Sequence, residues 1–380
     1  MERYRIDLPL LITTLMLVGF GSVMVYSASF AMAEEMFHGE SSFFLKRHLI
    51  RVVLGIGLML FFAQFDYHKL RRWSFPLLCV SFVCLVLVFV PGLGLEIRGA
   101  NRTLKLFAFN FQPAELMKLA MVLYLADSLD RRQDLIQKFV PGLLPYLVLL
   151  GLSFGLIGKQ PDFGTAMVLV LTTVAVLFVG RVRLPHLIAA GLVALPLVCI
   201  KLHTTPHSRQ RILSYLQNLT GNVDQGALLP GADYQLKQGL VALGSGGWSG
   251  VGLGQSRQKF LFLPDPHTDF IFAIVGEELG FIGAIAVLLL FLILAWRGIR
   301  IARRAPDLYG FLLATGITVL ISTHVVLNIA VVTGLIPTTG LPLPFISYGG
   351  SWLLFSLAGI GMLLNISARS HGRRRRLQYV

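Results

Sequence analysis

The stretch "LPDPHTDFIFAIVGEELG", Leu263–Gly280, leads after three residues into "AIAVLLLFLILAW", Ala284–Trp296. The second segment is apolar on every helical face, which suits the interior of a large protein or a bilayer. "FPLLCVSFVCLVLVFVPG", Phe75–Gly92, repeats the pattern. The whole chain decides between the two settings. Its 380 residues are 55% hydrophobic and only 14% charged, with a mean hydropathy of +0.73, whereas soluble domains carry about 25% charged residues. A helical span takes about 20 apolar residues, and the sequence offers ten such stretches, at about 8–28, 48–65, 74–92, 112–128, 139–158, 161–180, 185–202, 268–297, 309–334 and 350–367. The expected fold is therefore an all-α polytopic membrane protein, one domain over residues 1–380. Ten transmembrane helices are expected, with a large extracytoplasmic loop at 203–266 between helices 7 and 8 and a basic cytoplasmic tail at 368–380.

The formal charge of +14 is distributed in a way that excludes a nucleic-acid footprint. Basic residues fall in alternate connections: Arg3 and Arg5; Lys69, Arg71 and Arg72; Arg131, Arg132 and Lys138; Arg181 and Arg183; Arg297–Arg304; and Arg373–Arg376. Cytoplasmic loops collect Lys and Arg, so both termini are expected in the cytoplasm. The final arginine run reads as an anchor that anionic lipid can reinforce. The N-terminal apolar run lacks a small-residue cleavage site close behind it, and is expected to stay as a first helix. Cys79, Cys84 and Cys199 lie within apolar stretches without metal-site spacing, so they read as packing residues.

The long outer connection carries seven glycines between Gly239 and Gly254, interleaved with Leu240, Val241, Leu243, Trp248, Val251 and Leu253. This mixture predicts an ordered loop lying on the membrane surface. A nucleotide cradle would need a GK[ST] ending and a following helix, and neither is present.

Four helices that run from outside to inside open on proline or polar residues: "QPAELMK" at Gln112, "QPDFG" at Gln160, "DPHTDF" at Asp265 and "PLPFISYGGS" at Pro342. Proline is tolerated at a first helical position because that amide has no intrahelical partner. Each mouth presents free amides and the positive end of a helix dipole. Converging mouths would suit a phosphate-bearing lipid headgroup, with cations supplied by Arg102, Lys118, Arg209, Arg211, Arg257 and Lys259. Glu115 and Lys118 stand at i,i+3. They are either a structural pair or a functional one, which their expense inside a membrane favours. Asp269, flanked by His267 and Thr268, is either a dipole-stabilising carboxylate or a general base for a sugar hydroxyl. Glu277 and Glu278 lie about 12 Å deeper and read as structural, joined to Lys118 or another polar group. Asp162 is the better second functional acid. His324 and Asn328, at i,i+4 in an apolar helix, read as an interhelical hydrogen-bond pair rather than metal ligands.

Four quoted segments carry a family likeness: "QPAELMKLA", "GKQPDFGTA", "GSGGWSGVGLGQSRQKFLFLPDPHTDFIFAIVGEELGFIG" and "GLIPTTGLPLPFISYGGS". Together they closely resemble the SEDS (shape, elongation, division and sporulation) family of FtsW, RodA and SpoVE, over nearly the whole chain. The third and fourth segments look more like the family's division branch than its elongation branch.

The resemblance implies a peptidoglycan glycosyltransferase that polymerises lipid II into β-1,4 glycan, working with a class B penicillin-binding transpeptidase and other divisome membrane proteins. It implies the bacterial cytoplasmic membrane and the division septum as its place. The family's catalytic aspartate falls on Asp269, its motif lysine on Lys118 beside Glu115, and the acid of "QPD" on Asp162. Arg102, Arg209, Arg211, Lys259 and His267 complete the expected substrate-binding set. Thr103 stands where the family commonly has tryptophan, which removes a stacking surface beside Arg102. No metal ligand set is assigned, and a divalent Mg or Mn ion held by Asp162 and Asp269 stays open. A lipid II transporter, an elongation-type polymerase and a non-catalytic scaffold are the competing expectations.

Overall fold

The computed structural model describes residues 6–37, 39–97, 100–106, 109–204, 209, 211, 215, 232–260 and 262–378. Helices α1 (Leu8–Met36), α2 (Phe43–Gln64) and α3 (Tyr67–Leu87) come first. A small sheet follows, and then α4 (Pro113–Arg131), α5 (Leu144–Lys159, led by a π turn over Phe139–Leu143), α6 (Phe163–Val179) and α7 (Leu184–Thr204). The last four are α8 (Ala232–Ser245), α9 (Ile271–Arg303), α10 (Leu308–Val332) and α11 (Ser351–Gln378).

Aspartates start several of these helices. Asp7, Asp66, Asp162 and Asp307 each accept a hydrogen bond from a first-turn amide, satisfying a donor that the helix itself leaves orphaned. At one end of the bundle the caps are also ionic. Asp7 pairs with Arg297, Asp66 with Arg369 at 3.1 Å, and Asp307 lies against His68 at 2.6 Å. Arg71 joins the same end through Asp127 at 3.0 Å.

Among the described residues, six helices are long and apolar enough to cross a bilayer: Leu8–Met36, Tyr67–Leu87, Phe139–Lys159, Ile271–Arg303, Leu308–Val332 and Ser351–Ser370. The protein is a multi-pass membrane protein. The span within α11 is 89% buried, which makes it the central post of the bundle. It lies close along α2, where a Cβ on Gly361 would collide with the Met59 carbonyl. Apolar faces of α2, α3 and α7 turn outward instead, with Val53, Phe61, Phe75, Leu192 and Val193 more than half exposed. Lipid suits such faces, whereas water would not.

Two expectations need correction. The fold is predominantly helical, as expected, but not purely so, because residues between α3 and α4 form a three-stranded antiparallel sheet, β1 (Gly94–Ile97), β2 (Ala100–Leu106) and β3 (Phe109–Phe111). Leu95 pairs with Thr103 and Lys105 with Asn110. The alternation of Leu104 with Leu106 and of Phe109 with Phe111 is the period-two signal of strands. The second correction concerns residues 203–266, which are not a loop throughout: α7 reaches Thr204 and α8 is a 14-residue helix. Residues 216–231 of the expected loop lie outside the described residues.

The glycine-rich segment after α8 explains a break in α9. Gly280 has φ 67° inside that helix, and the four backbone groups freed there are taken up by the segment. Val251 and Gly252 donate to the carbonyls of Glu277 and Glu278, both at 3.0 Å. Phe281 and Ile282 donate to the carbonyls of Gly247 and Trp248 at 2.9 and 3.2 Å. Such replacement is obligatory in an apolar medium, where an unpaired amide or carbonyl is expensive. A Cβ on Gly250 would collide with the Glu278 carbonyl, so the approach requires glycine. The segment is thus ordered, as expected, and its backbone is hydrogen-bonded into the break of α9. Most of its residues, among them Trp248, Val251 and Leu253, stay exposed.

Candidate active site

The four polar mouths meet. Gln112, at the N-cap of α4, donates from its amide nitrogen Nε2 to Asp162 Oδ2 at 3.1 Å, and from its backbone to Ser351 Oγ at 2.9 Å. The second mouth packs on the fourth, because a Cβ on Gly164 would press on Thr339 at 3.0 Å and Leu341 at 2.8 Å. The third joins the fourth through the amide of Tyr348, which donates to the His267 carbonyl at 2.9 Å.

Asp269 lies just before α9, which begins at Ile271 with Phe270 at its N-cap, so it belongs to the turn rather than to the helix. Thr268 Oγ1 is 2.8 Å from both the Asp265 carbonyl and Asp269 Oδ1, one hydroxyl hydrogen shared between two acceptors. The other carboxylate oxygen, Oδ2, faces Gly340, 3.9 Å from where a Cβ would sit. Gly340 has φ 73°, a conformation that glycine adopts without strain. It presents no side chain to the carboxylate.

Cations approach from two sides. On β2, Arg102 donates to the Gln160 and Pro161 carbonyls at 2.9 and 2.6 Å and so holds the second mouth. Arg211 donates to the Thr338 carbonyl at 3.1 Å. Burial, followed by the neighbouring Arg102 charge, lowers the Arg211 pKa, while Asp269 and Asp162 act the other way. A guanidinium stays charged through such shifts. Arg102, Asp269 and Asp162 therefore each lie within electrostatic reach of Arg211. Arg209, two residues earlier, is exposed.

Beneath the mouths, Lys118 Nζ lies 2.9 Å from Glu115 Oε1 and 2.7 Å from His324 Nε2, with both side chains of the ion pair buried. An ammonium only donates, so His324 accepts at Nε2. Trp352 closes this group, stacked on His324 at 3.8 Å between ring centroids and lying 4.4 Å from Lys118 Nζ.

Other expected site residues lie differently. Lys259 is fully buried, its ammonium 2.8 Å from Glu278 Oε1 and 3.3 Å from Ser27 Oγ. It is committed to an internal ion pair rather than poised for a phosphate, and it is the partner of Glu278 where Lys118 was the named candidate. Glu277 accepts from Ser256 Oγ and from the Arg257 amide. The His267 ring is packed against Phe44 and Tyr348, with centroids 4.5 and 5.3 Å away. Asp162 accepts from the Thr165 amide at 3.1 Å as well as from Gln112, so both its oxygens have protein donors. Among the described residues no group of three or more His, Cys, Asp or Glu side chains could hold a metal ion. The donor set does not form a protein cage for a divalent cation.

Residues 8–372 match the profile of the cell cycle protein family that groups FtsW, RodA and SpoVE. The chain belongs to that family. It is 46% identical over 362 residues to a probable peptidoglycan glycosyltransferase FtsW of Trichlorobacter lovleyi, covering 95% of this chain and 93% of the relative. Stage V sporulation protein E of Bacillus subtilis is also 46% identical, over 96% of this chain and 97% of that one. Two solved structures share the fold. The crystal structure of Thermus thermophilus rod shape determining protein RodA has a TM-score of 0.70 at 29% identity, covering 96% of this chain and 98% of its own. A chain from a structure titled for polymerization and crosslinking by a peptidoglycan synthase complex has a TM-score of 0.75 at 28% identity, with the same coverage. The resemblance carried by the quoted motifs is borne out.

Family membership does not itself assign the roles of Gln112, Gln160, Thr338, Trp352 and Asn328 in holding these mouths. Sequence reasoning missed them as site-forming groups. The available signal was positional, since Gln112 and Gln160 both open "QP" mouths and Asn328 follows His324 by one helical turn.

Proposed function

We propose that the chain polymerises lipid II into β-1,4-linked glycan, with Asp269 as general base. The observation that carries this reading is the convergence of four helix mouths around a carboxylate whose Oδ2 faces the side-chain-free Gly340. Arg211 lies within electrostatic reach of Asp269, with Arg102 in turn close enough to act on Arg211. Relatives named as probable peptidoglycan glycosyltransferases support the substrate class.

In this mechanism Asp269 takes the proton from the 4-hydroxyl of an acceptor N-acetylglucosamine. The oxygen attacks C1 of the donor sugar, the C1–O bond to pyrophosphate breaks, and the α linkage inverts to β. Negative charge grows on the departing pyrophosphate. Fixed cations and helix N-termini stabilise it more in the transition state than before it. Arg102 and Arg211 are the cations placed for that role, with Lys118 as the buried charge beneath. Arg209, Lys259, His267, Glu115 and Asp162 then act on substrate through the shape and field of the site, since Lys259, His267 and Asp162 are engaged with protein partners.

The alternating basic connections support ten spans with both termini in the cytoplasm of a bacterial inner membrane. The division-type motifs support a septal role. The match to a chain of a peptidoglycan synthase complex supports a class B transpeptidase as partner.

The test is polymerisation of labelled lipid II by the full chain with its transpeptidase, comparing native protein with Asp269→Asn. Removing a general base typically lowers turnover by about 10²–10⁴, with folding and partner binding retained. Native-like polymerisation by the variant would refute the base. Absence of polymer from every active-partner preparation would favour transport of the same lipid.

A further inference from the structure

The proposed base is held by a residue that the mechanism above does not use. Asn328, on α10, is 1% exposed, and its amide nitrogen Nδ2 lies 2.7 Å from the Asp269 carbonyl and 2.7 Å from the Leu341 carbonyl. A primary amide has two hydrogens, so both donors are used, one on each side of the site. The two acceptors belong to the two segments that frame the Asp269 carboxylate. One is the 265–270 turn that carries it. The other is the 338–341 segment, whose Gly340 faces Oδ2. Arg211 secures the far end of that second segment through the Thr338 carbonyl.

Asp269 precedes α9, and Leu341 lies outside regular structure, between Gly340 and Pro342. Asn328 is also tied to the lower group, because His324 stands one turn away on the same helix and accepts from Lys118. One turn of α10 therefore touches the buried ion pair with one side chain and the base's backbone with the next.

We propose that Asn328 is a positioning residue for Asp269, its amide stapling the base-bearing turn to the 338–341 segment so that the carboxylate is held at the acceptor hydroxyl. The proposal rests on the reading of Asp269 as base. Displacing a reacting group by about 1 Å can lower turnover by roughly 10²-fold. Loss of the staple is expected to act on kcat, while substrate affinity, set by other contacts, changes little.

The experiment uses the full chain purified with its transpeptidase and labelled lipid II, comparing native protein, Asn328→Ala, Asn328→Asp and Asp269→Asn. Asn328→Asp keeps the volume but, when ionised, has no hydrogen to donate. The expected result is a folded Asn328→Asp with a lowered melting temperature, because the carboxyl is buried against two carbonyls, a KM within about twofold of native and a kcat lowered roughly 10- to 100-fold. On acidification the protonated aspartic acid regains one donor, so its turnover relative to native should rise as pH falls, while that of Asn328→Ala should not. A kcat within twofold of native for Asn328→Asp overturns the proposal, as does a raised KM at native kcat. If Asn328→Ala fails to fold, Asn328→Asp decides. If both fail to fold, Asn328 is a structural residue and the proposal falls. Native turnover in Asp269→Asn would instead remove the base reading itself. That result is distinguishable from an inactive Asp269→Asn beside a fully active Asn328→Asp, which removes only the positioning.

Discussion

Lys259–Glu278 and Lys118–Glu115 are both lysine–glutamate pairs sealed from solvent, and they differ in how completely the polar groups around them are used. Glu278 accepts from Lys259, and the Ser27 hydroxyl lies 2.7 Å from each of its two oxygens. The pair sits beside the break in α9 and ties the inserted segment to α1. Around Lys118 the arrangement is looser. Glu115 Oε2, His324 Nδ1 and Trp352 Nε1 have no hydrogen-bond partner among the described residues, and Glu115 and Trp352 border a cavity of about 10 Å³. Asp162 also lies within electrostatic reach of Lys118 and Glu115. A buried pair with every polar group filled holds a fold together, whereas one with a spare acceptor and spare donors beside a site can respond to what binds there. Burial of charge alone separates neither case, because desolvation offsets much of the attraction in both.

The comparison is most exposed to single substitutions. Lys259→Met leaves Glu278 buried without its cation, a loss of about 3–5 kcal/mol, and should collapse the folded yield in detergent. Lys118→Met strands Glu115 in the same way, but the small cavity beside Glu115 can admit a water, so more of the protein should stay folded while polymerisation is lost. Equal loss of folding in the two variants, read by thermal melting, would break the distinction. Adding Glu278→Gln to Lys259→Met should recover much of the melting temperature, since the uncompensated charge goes with it. Gly250→Ala sharpens the comparison at the backbone. The collision with the Glu278 carbonyl should destabilise by about 1–3 kcal/mol, with the midpoint of denaturation as the measurement.

The smallest effect lies at the opposite end of the bundle, at Asp66. Burial there raises its pKa, but hydrogen bonds from His68 and the Arg369 charge outweigh this, and the net shift is downward. A lowered folded pKa means that its stabilisation is present above the unfolded value and lost as pH falls through the folded one. Asp66→Asn should cost at most about 1 kcal/mol at neutral pH, and its melting temperature should converge on native in acid. A difference independent of pH would show that the carboxylate's charge is not what stabilises.

Asp269, Glu115, Lys118 and Arg102 were legible in the sequence because ionisable groups stand out against apolar helices. The mouths were legible because proline and glutamine mark where helices begin. Lys259 was misjudged because a lysine in a loop looks solvated from sequence, and only the insertion of that loop beside Glu278 buries it. The break in α9 could not be read from Gly280 alone, since glycine is frequent in membrane helices and the deciding partners lie some thirty residues upstream, at Gly247–Gly252. The sheet between α3 and α4 was hidden by brevity, with strands of 4, 7 and 3 residues. Asn328 was noticed but underused, because its two acceptors are backbone carbonyls that carry no residue identity.

The break in α9 also changes what deuterium uptake would report. In a 33-residue helix the central amides ordinarily exchange last, because their release requires the bundle to open. Here the amides of Phe281 and Ile282 are held by Gly247 and Trp248. Their exchange is timed by the lifting of the glycine-rich segment, so two positions near the middle of the longest described helix become a clock for a connection far away in sequence.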